Sequence, residues 1–267
     1  MTYLAYIIYG LAGIFAGLSG GLFGVGGGLV VVPILLFTFN FLGYSTAHTM
    51  QMAIGTSLAA MVFTSASSAW AHYKKEGILW KIARSLAPGI VIGAIIGALI
   101  ADYLPSKQLE FIFGLFVCVV GIFFLIPSKL EEIRGYYNPH FLIMNFIGVI
   151  IGGISSLFGI GGGIITVPIL TTFRVPLKNA ISTSAFTGFI IAIVGAFSFL
   201  YFGLHRQTYE ASFGYIYFPA FISIGIVSTF VAPYGAKLAY ALSPETLRRI
   251  FGIYLMVIGI IIITNSY

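Results

Sequence analysis

The sequence predicts an all-α polytopic membrane protein of two five-segment inverted repeats: about ten segments, the second and seventh short, with glycine-rich breaks at the midplane. Three observations predict it. The 267 residues are 59% hydrophobic and only 7% charged, with a mean hydropathy of +1.05, more apolar surface than a water-soluble domain of this length can bury. A seventeen-residue stretch occurs twice, half a chain apart, which marks an internal duplication. The basic residues then fix how the two copies are oriented.

The duplicated stretch is GGLFGVGGGLVVVPILL at residues 20–36, repeated as SSLFGIGGGIITVPILT at 155–171. Ten positions are identical, among them Gly24, Gly26, Gly27, Gly28 and Pro33 against Gly159, Gly161, Gly162, Gly163 and Pro168. The likeness extends to whole halves, with Thr56-Ser57 answered by Thr183-Ser184, Pro88 by Pro219 and Phe113-Gly114 by Phe251-Gly252. The organisation is therefore a first repeat over residues 1–127, a connecting loop over 128–140 and a second repeat over 141–267.

In chain order, segment one covers about Thr2 to Leu22 and carries a small-residue stripe, Gly10, Gly13, Gly17 and Gly21. Its start, MTYLAYIIYG, has no basic region or cleavage site, so it is expected to remain as a span. Segment two, Leu29 to about Leu42, reaches roughly 21 Å at 1.5 Å per residue, short of a hydrocarbon core of about 30 Å. Segment three runs from about Ala47 to His72, with Trp70 and Trp80 placed for an interface belt. Segment four, about Ile82 to Ala101, has a second glycine ladder at Gly89, Gly93 and Gly97, and segment five runs from about Gln108 to Ile126. Either ladder can serve internal packing or a homodimer seam. After the polar connector the order repeats: six from about Phe141 to Phe158, short seven from Ile164 to Phe173, eight from about Asn179 to Phe202, nine from about Phe213 to Val231, and ten from about Pro244 to Ile263.

With five crossings per half, alternate loops place eleven of the thirteen Lys and Arg on one side and leave only Lys107 and Arg206 on the other. Counting each broken segment as one crossing divides them seven to six, which is no topology signal. An odd number per half inverts the second half, and both termini then lie outside the cytoplasm. The net charge of +6 is explained by these topology-setting loops and does not imply nucleic acid. The single cysteine, Cys118, excludes an internal disulfide and a cysteine metal cluster, and no cofactor is expected.

The glycine runs are the chemical anomaly. An amide that leaves a helix within a bilayer loses its partner and costs several kcal/mol unless protein, water or a ligand replaces it. The runs either let helices approach closely or line a cavity into which the restarting helices point free N–H groups and positive dipole ends. Breaks at matching places in two halves are the pointer expected of a transporter's substrate site. The candidate anion-binding residues are thus Gly24, Gly26, Gly27, Gly28, Gly159, Gly161, Gly162 and Gly163. Thr56, Ser57, Thr183 and Ser184 add hydroxyls that either donate to the ligand or bond back to their own helical turn. Gln51 and Asn179, a turn or so from these pairs, either reach the same cavity or cap at the membrane edge. The partners implied are a small anion and the lipid bilayer.

The doubled motif, the two Thr-Ser pairs and the two-half layout together resemble the TauE/SafE family of sulfite exporters. The resemblance covers essentially the whole chain. It implies a carrier in the bacterial inner membrane for sulfite, sulfoacetate or a related small anion, with export the expected direction. No acidic or basic residue sits securely mid-span, so coupling either uses residues near the ends, such as His48 or Asp102, or is absent. Other classes remain: an anion channel, a membrane scaffold subunit, or an intramembrane serine protease. The last rests on Gly17-Leu18-Ser19-Gly20 with His48 or His72 as base, a string missing from the second repeat, where Ile154 replaces Ser19.

Overall fold

A computed structural model describes residues 2–23, 26–44, 47–74, 76–126, 140–206, 208–238 and 244–266. These form α1 (Thr2–Phe23), α2 (Gly28–Phe41), α3 (Thr49–Tyr73), α4 (Trp80–Tyr103), α5 (Ser106–Leu125), α6 (Phe141–Phe158), α7 (Gly163–Thr172), α8 (Leu177–Gly203), the strands β1 (Ser212–Phe213) and β2 (Ile216–Tyr217), α9 (Phe218–Leu238) and α10 (Pro244–Asn265). Seven helices are long and apolar enough to cross a membrane, and α2 and α7 are short, with 14 and 10 residues. The chain is an all-α polytopic membrane protein. The connector at 128–140 falls outside the described residues except for His140, whose ring nitrogen Nδ1 caps α6 by accepting from the Leu142 amide.

The main contacts between the halves keep their pattern when the halves are exchanged. Helix α1 packs on α9 as α6 packs on α4, α3 packs on α8, and α5 packs on α10. Pairs of non-equivalent helices run parallel: Gly13 and Gly17 meet Val227 and Val231, while Gly89, Gly93 and Gly97 meet Asn145, Val149 and Gly153. Equivalent helices run antiparallel: Gly114 lies on Gly259 and Gly121 on Gly252, and Gly55 lies on Phe199 while His72 meets Ser182. A twofold axis that reverses the direction of each equivalent helix lies across the bundle, which is the geometry of inverted repeats. These contacts also correct one equivalence. The residues that precede α4 and α9, Leu79 and Tyr217, are partners 138 positions apart, the spacing that also relates α5 to α10, so Pro88 and Pro219, separated by 131, are not equivalent.

Packing explains the composition. On α4 a Cβ at Gly89, Gly93 or Gly97 would run into α6 backbone, and on α1 one at Gly17 would lie 2.8 Å from the Ser228 carbonyl oxygen. The α4 ladder, and Gly13 and Gly17 of the α1 ladder, are therefore spent on close helix approach inside one chain, whereas Gly10 has open space around it. The central helix α3 is the most buried, whereas α5, α6 and α10 carry exposed Leu115, Val119, Phe146, Ile150, Ile253 and Val257, the outward apolar faces that hydrocarbon requires.

The eighth connection differs from expectation. Segment nine was expected from about Phe213, but residues 212–217 form a hairpin turning at Gly214 (φ 57°), and α9 begins at Phe218. The hairpin is tucked against α3 and α8, with Tyr215 fully buried between Gly55 and Phe199. Apolar composition alone does not separate a buried hairpin from a helix start.

Candidate functional site

The two breaks meet. Gly27 and Gly159 have left-handed backbones (φ 83° and 67°), which glycine adopts without the Cβ penalty. They turn the chain so that Gly28, at the start of α2, abuts the Gly159 carbonyl, and a Cβ on Gly26 would be 3.7 Å from the Gly161 Cα. Residues 26–28 and 159–163 are buried. Gly24 lies outside the described residues. Each break is followed by a short helix with a proline six positions in, Pro33 and Pro168, which removes a ladder donor one turn after the start.

The amides at these starts are what the arrangement offers. At the second break, Ile165 and Thr166 donate to the Gly162 carbonyl, whereas the amides of Gly161, Gly162, Gly163 and Ile164 have no acceptor among the described residues. At the first, Val30 and Val31 donate to Gly27, and those of Gly28 and Leu29 are left likewise. Free N–H groups with the positive end of a helix behind them favour an anion.

The Thr-Ser pairs flank these breaks in three different ways. Thr56 accepts from the Tyr217 amide at 2.9 Å, and its equivalent Thr183 accepts from the Leu79 amide at 3.0 Å, so each threonine ties down the segment entering a helix of the other half. Ser57 donates to the Gly159 carbonyl at 3.0 Å and joins α3 to the second break. Ser184 is fully buried with no hydrogen-bond partner among the described residues. None of the four bonds back to its own helical turn among the described residues. Gln51 donates from Nε2 to the carbonyls of Ala101 and Leu104, closing the end of α4, and Asn179 donates from Nδ2 to Gly77. Both amides thus hold loop ends.

His48 and Asp102, named from the sequence as near-end candidates, meet Arg206 and Tyr215, which carried no signal, in a second constellation at the end of the bundle that carries the hairpin. Asp102 pairs with Arg206 at 2.8 Å and accepts from the Tyr215 hydroxyl at 2.6 Å, and the His48 Nδ1 lies 3.5 Å from that hydroxyl. The His48 pKa is lowered, first by burial and then by the Arg206 guanidinium, with Asp102 opposing. The neutral imidazole is therefore favoured, and its contribution to stability is lost as pH falls from the ordinary histidine range towards the lowered value. Tyr209 donates to the Gly43 carbonyl at 2.9 Å and its ring lies 4.0 Å from that of Tyr44, closing the same end.

Ser19 donates to the carbonyls of Phe15 and Ala16 on its own helix, His48 faces Tyr215, and His72 meets Ser182. The arrangement a serine nucleophile requires is not assembled by these contacts.

Residues 9–262 match the family described as "Sulfite exporter TauE/SafE". A "Probable membrane transporter protein" of Haemophilus influenzae is 36% identical over 234 residues, 87% of this chain and 88% of its own length. One of the same description from Methanocaldococcus jannaschii is 30% identical over 235 residues, 86% and 85% of the two lengths. A third, from Bacillus subtilis, is 28% identical over 220 residues, 75% and 80%.

Proposed function

This chain belongs to the sulfite exporter TauE/SafE family of membrane transporters, and we propose that it is a secondary carrier, with no enzymatic activity, that moves a small sulfur-containing anion such as sulfite or sulfoacetate out of the cell by alternating access. The observation that carries the reading is the contact between two equivalent breaks, each buried and each leaving helix-start amides without acceptors among the described residues. An oxyanion supplies what those amides lack and is held by neutral donors. A bound cation gains nothing there.

Inverted halves exchange roles when the bundle rocks, which presents one central site to either side in turn. Export of an anion from a cell with a negative interior gains about 2.3 kcal/mol per charge per 100 mV, so no coupling ion is required. Purified protein in liposomes should catalyse counterflow of labelled sulfite, with uptake driven by unlabelled sulfite inside. A channel would pass sulfite without that exchange stimulation, and a scaffold subunit would pass none. Either result refutes the carrier.

The expected membrane is the bacterial inner membrane, with both termini on its outer side. Cys118 is the chain's only cysteine, so a Cys118→Ala background isolates introduced ones. Lys178→Cys at the start of α8 is expected to react with an impermeant maleimide only from the cytoplasmic side, and Lys107→Cys at the start of α5 only from the other. Labelling of both from one side overturns this topology.

A further inference from the structure

The two breaks are equivalent in backbone but not in what surrounds them. At the first, the Met61 side chain covers the glycines: its Cε would be 2.6 Å from a Cβ on Gly26 and its Sδ 2.8 Å from one on Gly28. The repeat puts Gly188 at the equivalent place on α8, where its Cα faces the Gly162 amide, with 3.6 Å from a Cβ there to that nitrogen. The substitution removes the methionine from the second break, where the end of the Ile191 side chain and the Thr166 and Thr187 hydroxyls are what a Cβ on Gly162 would meet. The polar groups differ as well: Thr166 stands where the first half has Val31, Thr187 where it has Ala60, and Ser155-Ser156 where it has Gly20-Gly21, whereas the first half's own Thr64, where the second has Ile191, is bonded to Ser228.

Four hydroxyls here, those of Ser155, Ser156, Thr166 and Ser184, are fully buried and have no hydrogen-bond partner among the described residues. Serine and threonine in apolar helices ordinarily satisfy themselves on the preceding turn, as Thr38, Ser65 and Ser198 do. Leaving four buried hydroxyls unpaired is costly, and such groups in a native structure call for a partner. Thr166 is aimed at the break, its Oγ1 3.2 Å from where a Gly162 Cβ would be, and Ser184 lies one turn before Gly188 on the α8 face that meets Gly162.

We infer that the oxyanion is held at the second break alone, by the Thr166 and Ser184 hydroxyls together with the unpaired amides that open α7, while Met61 fills the mirror position and keeps the first break closed to ligand. The inference takes the ligand class from the carrier reading and adds the place and the donors. Three oxygens of a compact sulfur oxyanion match donors converging from α7 and α8, and since these donors are all neutral, hydrogen bonding without a cation is the basis of recognition. Gly188 puts no side chain in front of the Gly162 amide.

The test is a thermal-shift titration of purified protein with sodium sulfite, run beside liposome counterflow. Wild type is expected to be stabilised by sulfite. Thr166→Val, which keeps shape and removes the hydroxyl, and Ser184→Ala should each weaken apparent binding at least tenfold, the loss expected for one charge-assisted hydrogen bond. Gly188→Met, which copies the Met61 plug, should abolish the shift. Ser198→Ala, on α8 but bonded to Val194, should match wild type. Undiminished sulfite affinity in both Thr166→Val and Ser184→Ala overturns the inference and leaves the carrier standing, and no shift in wild type overturns it as well. A wild type that binds sulfite through these hydroxyls yet shows no counterflow supports the site and refutes the carrier.

Discussion

Gly27→Ala is expected to destabilise the protein by about 3 kcal/mol or more, whereas Gly162→Ala, the same change at the equivalent glycine, is expected to leave folding nearly intact. The backbone of Gly27 has φ 83°, and its new Cβ would lie 2.6 Å from the Ala16 carbonyl oxygen and 2.8 Å from the Ala16 Cα. Both obstacles belong to the main chain of α1, which cannot step aside without moving its packing on α9. The left-handed conformation costs roughly 1–2 kcal/mol for an L-residue and overpacking about 1–3 kcal/mol more. Gly162 has φ −57°, which any residue accepts, and its added Cβ meets first the end of the Ile191 side chain at 2.8 Å. That contact yields by a rotamer change. Thermal midpoints of detergent-purified variants should therefore separate by roughly 10 °C, with Gly27→Ala the lower. Equal midpoints would show that the first turn is not held against α1 as described. The methyl group at Gly162 also points between the Thr166 and Thr187 hydroxyls, so this folded variant is expected to lose sulfite stabilisation.

That contrast marks what the sequence could reveal. Two copies of a glycine motif, with basic loops dividing eleven to two under one count of crossings, are enough for ten segments and an inverted arrangement, because bilayer thickness and charge placement act on the chain locally. The short second and seventh helices followed from length, and the approach of the breaks followed from symmetry. The unequal surroundings of the breaks did not. Met61 and Gly188 are equivalent by the Thr56-Ser57 and Thr183-Ser184 match, but only the fold shows that methionine lies over the glycines in one half, while in the other the end of Ile191 and two threonine hydroxyls face them. Thr56 and Thr183 were legible as special but not as acceptors for amides of the opposite half, since a hydroxyl's partner 161 or 104 residues away leaves no periodic trace. The hairpin at 212–217 was hidden for the same reason: its stability comes from burial of Tyr215 and Tyr217 among residues distant in the chain.

The hairpin end is where opening should be easiest to provoke. Asp102 is nearly buried and receives both the Arg206 guanidinium and the Tyr215 hydroxyl, while Arg206 itself is 41% exposed. The ion pair is accordingly screened by water and contributes little. The phenol-to-carboxylate bond is the stronger tie, short at 2.6 Å and reached from a fully buried ring. Asp102→Asn keeps the shape and turns a charge-assisted bond into a neutral one, a loss of about 1 kcal/mol or roughly fivefold in the closed population. If this end opens as a unit, the Tyr217 amide, which donates to the buried Thr56 hydroxyl, exchanges through the same motion. Hydrogen exchange of peptides spanning 208–217 should then run about fivefold faster in Asp102→Asn than in wild type, with peptides from α5 and α10 unchanged. The Asn179–Gly77 and Thr183–Leu79 bonds at the opposite end contain no carboxylate and should keep their protection. Acceleration confined to 208–217 makes Asp102 the latch of one end of the transporter, and exchange that rises everywhere would instead mean that the substitution loosens the whole bundle.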